Sequence, residues 1–427
     1  MTKKYGIIGN PIKHSLSPTL HNYWFEKYKI DANYSIIEIE TNELPNLINR
    51  IKDKDLIGIN ITLPYKQKIV PHIDVLINDA EITSSVNTVY LDDKGTIVGD
   101  NTDVFGLQAA YLKEVDNINS IIIEGAGDRS FCAGGDVVKL RKEVLADGGP
   151  PTNLSKSFFY DEYTLNYKIS NYKKPFISLI NGFTMGGGVG VSMHGSHVVA
   201  SEKTMFAMPE TAIGLFPDVG GGWLLGQLDK GIGAWLSLVG ARIKAYDLLK
   251  LKLITHYVSS EKVEILKNSI ISSSPNSNQK VNNIIDQFSS KPQTEDSVLI
   301  DNEELIKKAF SYDTIEQIFD ECEKLVENEF LKIQYEELKH KSPTSLKISL
   351  KQIRNASHMS LKDELIMEYR MVQRCVEIGD FFEGVRAMLV DKDRKPNWKP
   401  NNIQDVDETR VNLFFEDLGD LDLILTN

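Results

Sequence analysis

The stretch PFISLINGFTMGGGVGVSMHG, residues 175–195, decides how this 427-residue chain reads. Phe176–Ile180 is an apolar run of strand length. Gly186, Gly187, Gly188 and Gly190 then make a turn, and the small and apolar residues through Met193 open a helix. Strand, glycine turn and helix, in that order, is the repeating unit of an α/β fold. The same stretch is not a membrane span, because Asn181 and six glycines interrupt it.

Outward from it the alternation continues. IIIEGAG (121–127), HVVASE (197–202) and MFAMPE (205–210) are further short strands followed by turns, so residues 119–258 form one α/β core. Residues 259–427 read as a helical C-terminal region. Within it, SSSPNSNQ and SSKPQTED predict a loop-rich connection with one helix over 259–300. Helical periodicity dominates 301–390, and prolines and acids predict an extended tail over 391–427. Residues 1–104 read as a separate α/β domain. YGIIG (5–9), YSIIEIE (34–40), IGINIT (57–62) and NTVYL (87–91) are its strands, and Ser17-Pro18 opens a helix over 17–29. Residues 105–118 read as a junction helix.

Lys and Arg total 48 against 60 Asp and Glu, a net charge of −12 with no basic block. That balance predicts no nucleic-acid and no membrane partner, while local dipoles remain able to hold an anionic small ligand. Cys132, Cys322 and Cys375 stand far apart, as in a reducing compartment without disulfides. No signal-like stretch opens the sequence, and the KDEL string at 362–365 is internal, so the expected location is cytoplasmic.

Two glycine turns, AGGD (133–136) and TMGGGVG (184–190), each follow a strand. Backbone N–H groups at such turns donate to a developing oxyanion, and two turns brought together can hold a thioester carbonyl. Tight packing turns are the alternative reading. MPETAIGLFPDVGGG (208–222) isolates Glu210 and Asp218, each after a proline, among apolar residues. A partly buried carboxylate has a raised pKa and serves as base or nucleophile. Glu162 falls on a helix predicted over 157–170, in a stripe with Phe158, Leu165 and Ile169, where an acid needs a partner or a role. A carboxylate capping a backbone amide is the alternative there. In the first domain Ser15, Ser17, Thr62, Lys66, Asn87 and Asp103 stand beside Gly or Pro at strand ends and turns, where open α/β sheets place ligand groups. Hydroxyls, an amide, a lysine and an aspartate suit a small polyhydroxy acid, and the Lys–Asp pair can move a proton to or from a hydroxyl. Capping and surface polar groups are the alternative. No residues are read as metal ligands.

GNPIKHSLSP (9–18), NITLPYK (60–66), SVNT (85–88) and GDNTD (99–103) occur in that order and resemble the substrate-binding domain of the shikimate dehydrogenases. The resemblance implies that Ser15, Ser17, Thr62, Lys66, Asn87 and Asp103 line a shikimate pocket, with Lys66 and Asp103 as its acid–base pair. The NADP-binding domain of that family does not follow. SIIIEGAG (120–127) begins as it should, but Ser130 stands where a third Gly or Ala is wanted.

FCAGGDV (131–137), FFYDEY (158–163), NGFTMGGGVGVSMHG, FAMPETAIGLFPDVGGG, KSPTSLK (341–347), MEYRMVQRC (367–375), GDFFEGVRAMLVDKD (379–393) and NWKP (397–400) resemble the crotonase superfamily. Within it they are similar to the 3-hydroxyisobutyryl-CoA hydrolases rather than the hydratases, which carry a second catalytic Glu at the position of Gly190. The resemblance implies a ClpP-like spiral core and hydrolysis of 3-hydroxyisobutyryl-CoA to 3-hydroxyisobutyrate and CoA, a step of valine catabolism, with no cofactor required. It implies an oxyanion hole from the N–H groups of Gly135 and Gly187. It makes Glu210 the nucleophile or the base for water, with Asp218 and Glu162 holding the substrate hydroxyl and the water. Lys139, Arg141 and Lys142 are phosphate contacts for CoA or a solvated helix face. The strands and helix that precede 120–124 in crotonases are missing, so the spiral is expected to lack its first turn. That loss is expected to weaken CoA binding and leave an apolar edge open to homo-oligomers. The alternatives are an NADP-dependent shikimate dehydrogenase, and an inactive fusion that only binds ligands.

Overall fold

A computed structural model of the chain describes residues 2–10, 12, 15–62, 64–77, 80, 85–102, 118–127, 129–146, 148–150, 152–378 and 380–426. The chain divides into two compact units, 1–116 and 117–427. Asp103 and all of the expected junction helix except Ile118 lie outside the described residues.

The first unit holds one six-stranded sheet. Its strands are β1 (Lys3–Ile8), β2 (Ala32–Ile36), β3 (Gly58–Ile61), β4 (Val75–Ile77), β5 (Thr88–Leu91) and β6 (Ile97–Asp100), in the order β2-β1-β3-β5-β6-β4. β5 runs antiparallel to both neighbours and the other pairings are parallel. Among the described residues three helices accompany the sheet: α1 (Ser17–Lys27), α2 (Leu44–Lys52) and the short α3 (Tyr65–Lys68). Leu44, Leu47, Ile48 and Ile51 recur at helical spacing on α2 and bury one face of it against Ile59, Ile61 and Val89 of the sheet.

The second unit holds two four-stranded sheets. Its strands are β7 (Ile121–Glu124), β8 (Ser130–Cys132), β9 (Phe176–Ile180), β10 (Phe183–Met185), β11 (His197–Ala200), β12 (Met205–Ala207), β13 (Ile243–Lys244) and β14 (His256–Tyr257). One sheet has the order β14-β11-β9-β7 and the other β13-β12-β10-β8. From β7 to β12 successive strands alternate between the sheets, so the chain winds as a spiral. Helices fill the turns: α4 (Val137–Ala146), α5 (Asn153–Ser170), α6 (Gly187–Met193), α7 (Gly221–Gly226), α8 (Lys230–Val239) and α9 (Ala245–Lys250). β7 and β8 end the two sheets among the described residues, as a spiral without its first turn requires. The glycines at 125 and 127 lead from β7 into strand β8, not into a helix, so the dinucleotide-binding context of strand, turn and helix is not formed.

The C-terminal region corrects two expectations. Residues 259–300 contain two helices, α10 (Ser260–Ser273) and α11 (Asn278–Ile285), not one. Val263, Leu266, Ile270, Val281 and Ile285 keep helical spacing inside the polar sequence and pack on Ile177, Leu179 and Val199. α12 (Leu299–Phe310), α13 (Ile315–Lys324), α14 (Glu329–Lys339), α15 (Pro343–Ala356), α16 (Leu361–Ile378) and α17 (Asp380–Val385) follow. The stretch 391–427 is no extended tail. It carries α18 (Glu408–Leu413) and buries Val406, Val411, Phe414, Leu423 and Leu425 in the main core. Full burial of such a side chain contributes about 1.5–3 kcal/mol, enough to dock a segment rich in acids and prolines.

Candidate active site

A cavity of about 360 Å³ lies where the spiral brings its two glycine turns together. Gly134 and Gly135 reach it from the turn after β8, Gly186 and Gly187 from the turn after β10. Glu162, Glu210 and Asp218 line it as well, among Phe158, Phe159, Ile213 and Leu215. Gly135, Gly187, Glu162, Glu210 and Asp218, the five site residues expected in this unit, thus meet at one place. Sequence reasoning missed the rest of the wall: Arg242 after α8, and Met388 and Leu389 from the π-helical turn Arg386–Val390.

The turns approach so closely that side chains would not fit. A methyl group at Gly187 would stand 2.6 Å from Glu162 Oε1 and 3.4 Å from the Gly135 nitrogen. One at Gly186 would stand 3.2 Å from Glu210 Oε1. Gly134 has φ +109°, a conformation open to glycine and strained for other residues. Gly187 is the first residue of α6, so its N–H is one of those a helix leaves without an intrahelical partner. Gly190 faces the other way. A methyl there would stand 2.6 Å from Asn166 Nδ2 and 2.6 Å from Val219 Cβ, so the position is packed tightly around glycine.

Glu210 opens the 3₁₀ turn Glu210–Ile213 directly after β12 and Pro209. It is 5% exposed, and its Oε2 has no hydrogen-bond partner among the described residues. Asp218 is 5% exposed and accepts a 2.9 Å hydrogen bond from the Tyr163 hydroxyl. Burial raises all three carboxyls. It pushes Glu162 up to about 8 with help from the Asp218 charge. It pushes Asp218 to about 7 against the opposing Tyr163 bond. It holds Glu210 well above the usual carboxylate range, with the charges of Asp218 and Glu162 adding to the effect. Three acids around one small cavity cannot all ionise cheaply, which is how a protein prepares a carboxylate that reacts on ionising.

The phase of α5 corrects the stripe expected from sequence. Its buried face is Ser155, Phe159, Tyr163, Asn166, Tyr167 and Ile169, so of the expected stripe Ile169 is buried while Phe158, Glu162 and Leu165 are half-buried beside it. Glu162 therefore sits at the border of the core and lines the cavity. On α4, Lys139 pairs with Glu143 at 3.7 Å and Arg141 Nε donates to the Phe382 carbonyl at 2.9 Å.

The distal strings build the wall behind Glu210. The Ser342 N–H donates to the Thr211 carbonyl. The Ser342 hydroxyl donates to Asp380 Oδ2 at 2.7 Å, and the Lys399 N–H donates to Asp380 Oδ1 at 3.0 Å. Gly214 and Gly384 let α17 touch the turn: a methyl at either would lie within 2.4 Å of backbone on the other side.

In the first unit the Ser15 hydroxyl accepts the Ser17 N–H at the start of α1. The Thr62 N–H donates to Ile8, the Ile61 N–H to the Asn87 carbonyl, and the Val86 N–H to the Lys66 carbonyl. Thr62, Lys66 and Asn87 thus share one end of the sheet. Asn87 is buried and bonded to Thr102. A cavity of about 400 Å³ near this end is lined by Gly9, Asn10, Ile12, Glu38, Ile39, Glu40 and Glu43, and by none of the five described residues expected in the pocket.

A two-sheet spiral with glycine-turn amides facing buried carboxylates defines a class of enzymes that act on acyl thioesters. Residues 104–415 match the family model described as enoyl-CoA hydratase/isomerase, and the chain belongs to that family. It is similar to the mitochondrial 3-hydroxyisobutyryl-CoA hydrolase of Xenopus laevis, 44% identical over 71% of this chain and 79% of that protein. The same enzyme of Mus musculus is 43% identical over 71% of this chain and 78% of its own. Among solved structures, a carnitinyl-CoA dehydratase from Mycobacterium thermoresistibile superposes with a TM-score of 0.68 at 29% identity, covering 82% of this chain and 94% of that one. Residues 7–89 match the family model described as shikimate dehydrogenase substrate binding domain.

Proposed function

We propose that the chain hydrolyses the thioester of 3-hydroxyisobutyryl-CoA, giving 3-hydroxyisobutyrate and CoA. The observation that carries this is the meeting of Glu210, Asp218 and the two glycine turns at one cavity, with glycine and not an acid at position 190. The N–H groups of Gly135 and Gly187 bind the carbonyl oxygen and stabilise the charge that develops on it. The ionised Glu210 attacks the carbonyl carbon, the carbon–sulfur bond breaks, and CoA leaves as thiolate. Water then cleaves the mixed anhydride, returning the Glu210 carboxylate and releasing the acid. Glu210 acting as base on water gives the same products. Asp218, held by Tyr163, and Glu162 bind the 3-hydroxyl and the water. The reaction needs no group beyond CoA, which is part of the substrate. Release of free thiol from 3-hydroxyisobutyryl-CoA, beside hydration of an enoyl-CoA, tests this reading. Hydration without thiol release refutes it.

The match over residues 7–89 supports a second reading for the first unit alone, the binding of shikimate by Ser15, Ser17, Thr62, Lys66, Asn87 and Asp103. Isothermal titration with shikimate tests it, and no heat at millimolar ligand refutes it. A cytoplasmic location is proposed from three dispersed free cysteines, and microscopy of a tagged chain checks it.

A further inference from the structure

Asp218 stands in a turn whose backbone is strained. The next residue, Val219, is β-branched and has φ +57°, a conformation that is strained for such a residue and persists only when its surroundings impose it. Gly220 follows at φ +77°. Buried side chains from beneath impose this turn. The Gly220 N–H donates to Glu368 Oε2 at 2.8 Å. Gln352 Nε2 donates to the Pro217 carbonyl at 2.7 Å, and lies 3.0 Å from Glu364 Oε1 and 3.1 Å from Glu368 Oε1. The Val219 carbonyl lies 2.7 Å from His194 Nε2, and since a carbonyl only accepts, the imidazole carries its proton there.

Gln352, Glu364 and Glu368 are all fully buried. Glu364 and Glu368 stand one helical turn apart on α16, and burial raises both carboxyls, Glu368 further by the charge of Glu364. Two buried carboxyls and a buried amide are costly to keep inside a core. Nothing in the hydrolysis uses them directly. Gln352 and Glu368 bond outward to residues 217 and 220, on the two sides of Asp218.

We propose that Gln352 and Glu368 are positioning residues for Asp218: they clamp the strained turn 217–220 from below and keep the Asp218 carboxylate on Tyr163 in the cavity wall. The proposal rests on the hydrolase reading only in that Asp218 serves the reaction. The geometry of the clamp stands apart from it. Losing the clamp lets Val219 relax toward an ordinary conformation, which swings the preceding carboxylate away. A displacement of about 1 Å at such a site costs up to ~10²-fold in rate.

The test uses the full chain with Glu368→Leu, Glu368→Gln and Gln352→Met, each alone and combined with Asp218→Asn. Glu368→Leu is expected to lower kcat by ~10- to 100-fold with KM changed less than ~3-fold. Glu368→Gln keeps the size of the side chain and an acceptor for Gly220, and should stay within ~3-fold of the parent. Gln352→Met, which keeps the volume and loses the Pro217 bond, should lower kcat by ~3- to 30-fold, and it carries the test if Glu368→Leu does not fold. In the Asp218→Asn background the Leu and Met variants should cost less than ~2-fold more, because residues acting through one group are not additive. Losses that multiply undiminished in that background overturn the proposal. So does a kcat equal to the parent in both the Leu and Met variants. If the parent releases no thiol from any acyl-CoA, the hydrolase reading fails and amide exchange decides the clamp. The Gly220 amide should exchange at least ~10-fold faster in the Leu or Met variant, and unchanged protection overturns the proposal.

Discussion

Replacing Glu210 by Gln separates the chemistry of the site from its packing. The substitution keeps the shape and removes the charge. The Glu210 carboxyl is buried with one oxygen unpartnered, so Gln costs no hydrogen bond at Oε2. Loss of the nucleophile or base should lower kcat for 3-hydroxyisobutyryl-CoA by at least ~10²-fold, about 2.7 kcal/mol in the barrier. Stability should move the opposite way. In the folded chain Glu210 holds its proton far above the ordinary value of 4.5, while in the unfolded chain it loses it near that value. Between those values the folded state binds more protons than the unfolded state, so the group's favourable contribution is present below 4.5 and lost as pH rises from there through the folded value. A neutral Gln escapes that loss. At pH 8 the variant should melt at the same temperature as the parent or higher, while turning over at least ~10²-fold more slowly. Thiol release with an aromatic disulfide reports the first quantity, and differential scanning calorimetry at pH 5 and pH 8 the second. Parent-like hydrolysis by the variant refutes the role of Glu210. A variant less stable at pH 8 than the parent refutes the account of its burial.

Other outcomes follow from the same geometry. Asp218 presents a like charge to Glu210, so Asp218→Asn should lower the pKa of Glu210 and move the acid limb of the kcat/KM profile to lower pH; a limb that moves up contradicts this. Gly190→Glu should not create a hydratase, because its Cβ meets Asn166 and Val219. Overpacking of about 1–3 kcal/mol should lower the melting temperature by roughly 2–10 °C, and crotonyl-CoA hydration with an unchanged midpoint contradicts it. β7 ends its sheet with Ile121, Ile122 and Ile123 half-buried, so Ile121→Lys should reduce concentration-dependent association in sedimentation velocity; equal association in both proteins rules out this edge. With shikimate and NADP the chain should form no NADPH at 340 nm, since β7, its glycine turn and β8 do not make a dinucleotide site, and steady formation overturns that.

Local chemistry was legible in the linear order of residues. Glycine turns after apolar runs announced an α/β core, the crotonase resemblance implied its spiral, and two acids each following a proline in an apolar stretch announced Glu210 and Asp218. These signals are short-range: a strand, a turn or an isolated charge is written within a few residues. The helix carrying Glu162 was legible in extent but not in phase, because adjacent residues on a helix differ by about 100° and several faces of α5 are aromatic. The helices of 259–300 and the docking of 391–427 were hidden by polar composition, since a few apolar side chains at the right spacing outweigh many polar neighbours.

The sequence by itself determined the order of elements, the two glycine turns and the identity of the acids that could react. Only the tertiary structure decided which of those acids share a cavity and what holds them there. Tyr163 reaches Asp218 from 55 residues away, and Glu368 reaches Gly220 from 148 residues away. Such partners leave no mark in local spacing. Their hydrogen bonds form only when the spiral and the C-terminal helices pack, and burial then raises the carboxyl pKa values on which the chemistry depends.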